Sequence, residues 1–313
     1  NITTASGFAT FVFVKSQLLR EFGILASINI LSIFVLALLI IPIIYSFMEP
    51  PKKKHLNHLE RRWMENVVDW MEKMVREQRI AVYITTVVII ILGIIGVASM
   101  LTMDIPLPPE AEAILKDKFT AGQIKLLTLI NPTILLIIFV VIGTILYQKV
   151  NLKVPIIEKL IGIRKESIKT ISILKYGIVG GILSGILLSL IGLVYNPILP
   201  AEFLELGESL KPTLVARFLY GGLTEEILMR FGLMTLIVWL CSKIFKETKP
   251  FVFWTGIVIA AIIFAFGHFP IAYQAVDNPT MGLLTYILIG NSIGGIIFGW
   301  LYWKKGLESA FVA

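Results

Sequence analysis

Charge and cysteine are both scarce in this 313-residue sequence, and each shortage removes a class of protein. Charged residues make up 16%, well below the roughly 25% of soluble domains. Hydrophobic residues make up 57%, and the mean hydropathy is +0.85. A water-soluble chain this apolar would expose much of that surface, so a bilayer is the simpler solvent. The one cysteine, Cys241, ends an apolar run. It cannot form an internal disulfide, no cysteine cluster exists to ligate a metal, and it reads as a structural thiol. Alternating ten-residue strand patterns are absent, which argues against a β-barrel. The net charge of +7 gathers in short segments between apolar runs, the pattern of cytoplasmic loops and not of a nucleic-acid surface. The chain opens on Asn1 with no signal-peptide pattern and reads as a fragment at its start.

What is present is a series of apolar runs about 20 residues long, the length a helix needs to cross hydrocarbon. They predict spans at 23–48, 80–103, 126–148, 173–195, 214–240, 251–269 and 281–303. The expected fold is all-α: a polytopic helical membrane protein with about seven full spans plus partial helices at both ends. Glu49-Pro50-Pro51 and Lys52-Lys53-Lys54 stop the first span. Residues 52–79 read as a charged linker helix with Leu59, Trp63, Val67, Trp70 and Met74 at helical spacing, lying along the membrane surface or other cytoplasmic residues. His55 and His58 in this linker read as solvated. The stretch Ile105-Pro106-Leu107-Pro108-Pro109 cannot continue a helix.

The connections carry unequal charge. Segment 149–175 holds Lys149, Lys153, Lys159, Arg164, Lys165, Lys169 and Lys175 against Glu158 and Glu166. Residues 243–249 and Lys304-Lys305 are also basic, whereas 196–210 carries only Glu202, Glu205 and Glu208, and 270–280 only Asp277. Placing the basic connections in the cytoplasm of a cell-membrane protein lets every span from 23 onward alternate without a violation. Glycines four apart (Gly177, Gly181 and Gly185; Gly290-Gly294; Gly295-Gly299) read as close helix packing.

The run 214–240 contains Arg217, Glu225, Glu226 and Arg230. Each such charge at the centre of a bilayer helix costs about 2.5–3.5 kcal/mol, so packing alone does not account for them. Glu226 and Arg230, four apart, share a helix face and can pair. Glu225 is rotated by about 100° and need not share that partner. One paired and one free carboxylate suit general-base work. His268 lies near the outer end of the next span. Glu225 stands about 16 residues before the connection at 241–250 and His268 about 18 after it, so both lie roughly 25 Å above that loop. A hairpin of the two helices can bring them together. Asn291 reads as an interhelical hydrogen-bonding residue.

These residues resemble a known pattern. Glu225-Glu226-Ile227-Leu228-Met229-Arg230 matches the EExxxR motif of the CPBP family, the CAAX prenyl proteases and bacteriocin-processing enzymes also called Abi proteins. Phe264-Ala265-Phe266-Gly267-His268 matches its FxxxH motif, and Gly295 through Gly306-Leu307-Glu308-Ser309-Ala310 resembles the segment leading into its last motif. The resemblance covers roughly 104–313. It implies an intramembrane endopeptidase acting on a membrane-associated peptide or protein. Glu225 would activate a water, Glu226 and Arg230 would organise the site, and His268 would position the water or stabilise the oxyanion. Such enzymes have been argued both with and without a metal. One histidine and two carboxylates make a thin zinc shell, so metal-free, glutamate-activated water is the expected device, with a divalent ion such as zinc as the alternative. The family's last motif, a histidine followed four residues later by asparagine or aspartate, would begin about where the sequence reaches Ala313. A chain ending there would lack part of its oxyanion side.

Residues 1–103 resemble something else. Thr3-Thr4-Ala5-Ser6-Gly7-Phe8 and Leu18-Leu19-Arg20-Glu21-Phe22-Gly23, with the span ending at Pro42, are similar to the end of a transmembrane half of an RND-superfamily (MMPL-like) exporter. The expected organisation is therefore an exporter-like remnant at 1–103 and a protease-like domain at 104–313. The alternatives to a peptidase are an exporter fragment and a catalytically inactive membrane adaptor.

Overall fold

The computed structural model describes residues 2–14, 16–47, 79–103, 109–162, 164, 166–209 and 212–313. The expected linker helix at 52–79, with His55 and His58, falls outside them save for Arg79, as do residues 105–108 of the proline-rich stretch. The protein is an all-α, multi-pass membrane protein: among the described residues seven helices are long and apolar enough to cross a bilayer, at Gln17–Ser46, Val82–Thr102, Ala121–Val150, Thr170–Ile198, Leu214–Phe245, Pro250–Ala275 and Met281–Lys305. No strand occurs among the described residues. The chain divides into two compact units, Asn1–Met74 and Val75–Ala313.

In the first unit, α1 (Ile2–Ala9) packs against α2 (Gln17–Ser46). Gly23 lets α2 approach Phe8 and Phe11, and Ser27 Oγ donates to the Ala5 carbonyl at 2.9 Å. The helix starts six residues before the expected 23, because Gln17 through Phe22 are helical and Gln17 Nε2 reaches Glu21 Oε1 at 3.0 Å.

The second unit is built from α3 (Arg79–Ser99), α4 (Pro109–Lys118), α5 (Ala121–Val150), α6 (Pro155–Leu160), α7 (Thr170–Tyr195), α8 (Ala201–Ser209), α9 (Leu214–Phe245), α10 (Pro250–Phe266), α11 (Phe269–Ala275), α12 (Met281–Lys305) and α13 (Leu307–Val312). Helix α3, which the exporter resemblance groups with the N-terminal segment, packs here against α5 and the first half of α9. Short helices α6, α8, α11 and α13 occupy connections that hydropathy leaves unassigned, since a stretch too short to span gives no signal of that kind.

Lipid tails are as apolar as leucine, so helix association in a membrane rests on close packing and interhelical hydrogen bonds. Helix α9 has α3 and α5 on one side: Thr224 Oγ1 donates to Gly93 O at 2.9 Å, and Gly96 leaves the space that Thr224 and the Leu219 carbonyl fill. On its other side lie α10 and α12. Helix α12 packs on α10, where a Cβ added at Gly295 would come 2.6 Å from that of Ala261, and α12 also packs on α7. The glycine expectation is thus met in part. Gly177 and Gly181 receive the backbone of Ser309 and Ala313, and Gly295 and Gly299 abut α10, but Gly185 and Gly294 face open space.

Gly306 turns the chain between α12 and α13 with φ +103°, a conformation that suits glycine. Beyond it, Leu307 N–H donates to Lys153 O at 3.1 Å and Ser309 Oγ donates to Ile173 O at 3.1 Å. Glu308 Oε1 accepts from the N–H groups of Ile156 (2.7 Å) and Ile157 (2.9 Å). It thereby caps α6, whose first turn would otherwise leave donors unsatisfied. These bonds lay α13 back against the bundle.

Candidate active site

Helix α9 is not wound uniformly. Hydrogen bonds of the i→i+5 type run through Arg217–Thr224 and again through Ile227–Met234, leaving Glu225 and Glu226 in a short α-helical step between them. Such wide turns recur at functional sites. Here they coincide with tight packing on α3 and α5: Thr224 against Gly93, and Phe231 against Gly143 and the Tyr147 ring, with ring centroids 5.6 Å apart.

Within this step the two glutamates have different surroundings. Glu226 is buried, and its Oε2 lies 3.1 Å from Nε of buried Arg230. The contact is a close ion pair without an aligned hydrogen bond, because neither atom meets hydrogen-bond geometry. Arg230 extends between α10 and α12. Its guanidinium carbon lies 5.3 Å from the Phe264 ring centroid and 5.4 Å from that of Phe298, within cation–π range, and Nη2 reaches Gly294 O at 3.5 Å. Buried Nη1 has no hydrogen-bond partner. Glu225 is half-buried and has no ion pair or hydrogen bond through its side chain among the described residues. The pairing expected from spacing, Glu226 with Arg230 and Glu225 apart, is the one observed.

Glu225, Glu226, Arg230 and His268 all line one cavity of about 630 Å³. The hairpin of α9 and α10 therefore places the two acids and the histidine on the wall of the same cavity. His268 is half-buried at the junction of α10 and α11, where its ring stands edge-on to Phe264 at 4.6 Å. Its Nδ1 lies 2.9 Å from the Phe264 carbonyl oxygen. A carbonyl only accepts, so Nδ1 carries the proton, and in the neutral ring Nε2 faces other partners as an acceptor.

The cavity also holds residues that the sequence reading had set aside. Asn291, expected to bond between helices, instead donates from Nδ2 to Ile287 O of its own helix at 2.9 Å and lines the cavity. An amide whose carrier helix supplies an acceptor one turn earlier needs no neighbour, and the second N–H is left over. Asn291, Gly294 and Phe298 lie three and four residues apart on one face of α12, a spacing visible in the sequence. Ala310, Phe311 and Val312 of α13, with Ala313 just after it, form another part of the wall. Arg217, on the cavity's edge, is exposed and donates from Nε to Pro212 O at 3.0 Å.

Among the described residues no three His, Cys, Asp or Glu side chains stand together as a metal-binding group.

Residues 208–313, about a third of the chain, match the family model of the Rce1-like type II CAAX prenyl endopeptidases. The matched segment contains Glu225, Glu226, Arg230, His268 and Asn291. No curated protein and no solved structure matches the chain.

Proposed function

We propose that this protein is an intramembrane endopeptidase in which Glu225 activates a water. The observation that carries the reading is the single cavity, walled by membrane helices, that holds an unpartnered carboxylate, a buried Glu–Arg pair and a histidine. The similarity of residues 208–313 to a peptidase family supports the same chemistry.

In the proposed reaction the water gives a proton to the Glu225 carboxylate while its oxygen attacks the peptide carbonyl carbon. His268 Nε2 accepts from the other water O–H and aims the lone pair, a positioning role that follows from the proton on Nδ1. Negative charge then grows on the carbonyl oxygen; the spare N–H of Asn291 on the cavity wall can donate to it, and the buried Arg230 guanidinium adds positive charge. When the tetrahedral intermediate collapses, the C–N bond breaks and the leaving amine takes the proton from Glu225. Glu226 neutralises Arg230 and holds its guanidinium between Phe264 and Phe298.

The substrate is a membrane-associated peptide or protein, and the family similarity makes a CAAX-type tail the first candidate, with bacteriocin-type precursors next. Mostly apolar cavity walls, including Leu188, Ile191 and Phe218, suit a lipid-modified or hydrophobic chain. The orientation that goes with this reading puts the basic connections in the cytoplasm. The test is cleavage of a prenylated CAAX peptide by the full chain in detergent, monitored by mass spectrometry. Product should form with wild type and be lost with Glu225→Gln. Equal rates for the two proteins would sink the proposal.

A further inference from the structure

A second cavity, of about 490 Å³, shares no lining residue with the first. It lies where three spans reach the basic connections: the starts of α7 and α10 and the end of α12. Lys153, Arg164, Lys169, Lys304 and Lys305 line it, and no carboxylate does. Arg164 is committed to Glu158, at 2.8 Å. The four lysines have no carboxylate within 4.0 Å among the described residues. Two of them rest on rings instead: Lys304 Nζ lies 3.4 Å from the Trp303 ring centroid and Lys305 Nζ 3.6 Å from that of Tyr176.

The backbone adds to this charge. Both α7 and α10, 26 and 17 residues long, begin at the cavity, and their cap positions are Lys169 and Lys249, of which Lys249 is paired with Glu247 at 2.7 Å. Neither cap residue provides a side-chain acceptor to the first-turn N–H groups. Lysine is the wrong residue for a cap, since it cannot accept a hydrogen bond and its charge opposes the positive end of the helix dipole. At the start of α7, an anion seated beside Lys169 reverses both penalties at once. The position selects the kind of anion. The cavity lies at the ends of membrane spans, beside an interfacial tryptophan, and Ile171 in the first turn of α7 is 84% exposed, as a lipid-facing residue would be.

We infer that this cavity binds the phosphate-bearing headgroup of an anionic membrane lipid, with Lys153, Lys169, Lys304 and Lys305 as its cationic wall. Basic pockets between membrane helices take such headgroups, and each lysine near the phosphate is worth about fivefold in affinity.

The experiment titrates full-length protein in neutral detergent with dioleoyl phosphatidylglycerol, dioleoyl phosphatidylcholine or glycerol 1-phosphate, reading the thermal midpoint and bound lipid by native mass spectrometry. Saturable binding of phosphatidylglycerol alone is expected. The triple variant Lys153→Gln/Lys304→Gln/Lys305→Gln should weaken it on the order of 100-fold, while Lys243→Gln, outside the cavity, should leave it unchanged. Should the triple variant not fold, Lys169→Gln at an exposed site carries the test, with about a fivefold loss expected. Equal binding of phosphatidylcholine, equal weakening by Lys243→Gln, or unaltered affinity in the cavity variants would overturn the assignment. Glycerol 1-phosphate binding as tightly as the lipid would overturn the lipid in favour of a soluble phosphate compound.

Discussion

Two groups of acids are taken out of water in the second unit, and they are used in opposite ways. At the turn into α13, Glu308 and Glu158 are both buried and both employed: Glu308 Oε1 accepts two backbone N–H groups of α6, and Glu158 holds Arg164. In the cavity on α9, Glu226 is bound to Arg230, but its neighbour Glu225 meets no partner among the described residues. A half-buried carboxylate left without a partner is costly unless something else is served. Burial by itself therefore says little about function; what separates the groups is whether the carboxylate has a partner at all.

The contrast can be broken by substitution, and the largest effect is expected at Glu225. Glu225→Gln should lower the peptidase rate by about 10²–10⁴-fold, the range of a lost general base, while leaving the thermal midpoint close to wild type. A large fall in that midpoint would move Glu225 into the structural group. Next comes Arg230→Met, which strands Glu226 as an uncompensated buried charge and should destabilise by about 3–5 kcal/mol. Adding Glu226→Gln should recover part of that loss in a thermal melt, and no recovery would mean that the pair is not the coupled unit described.

Glu308→Ala comes third. It strips two helix-start donors of their acceptor and should cost about 1–3 kcal/mol, read by denaturation in detergent. Smallest is a pH effect from the same residue. Burial, the largest cause, pushes the Glu308 carboxyl up to about 7, with nearby Glu158 adding to it against the backbone hydrogen bonds. Between the ordinary glutamate range and pH 7 the unfolded chain holds fewer protons than the folded one, so stability falls as pH rises. The Glu308 contribution should be full below about pH 4.5 and lost as pH passes about 7. Glu308→Gln should flatten that part of the stability profile, and an unchanged slope would assign it to other groups.

Much of this was legible beforehand. Seven apolar runs became seven membrane-length helices because the bilayer imposes both length and hydropathy on a span. The Glu226–Arg230 pair followed from a four-residue spacing, and the shared depth that lets Glu225 and His268 line one cavity from counting residues on either side of one tight connection. The bond of Asn291 to its own helix is not legible in the sequence, since spacing cannot tell it from a bond to the next helix. The short helices in the connections and the i→i+5 winding of α9 left no mark on hydropathy.

By itself, then, the sequence determined the solvent of this protein, the number of its crossings and the order of acids, arginine and histidine along them. These are local properties, written in runs and spacings of a few residues. Tertiary structure alone decided that α13 folds back through Gly306 and Glu308 to wall the candidate site. It also gathered lysines from distant connections around one basic cavity. The physical reason is the same in both cases: contacts between residues some 150 positions apart, as between Glu308 and Ile156, depend on how helices pack, and no periodicity along the chain records them.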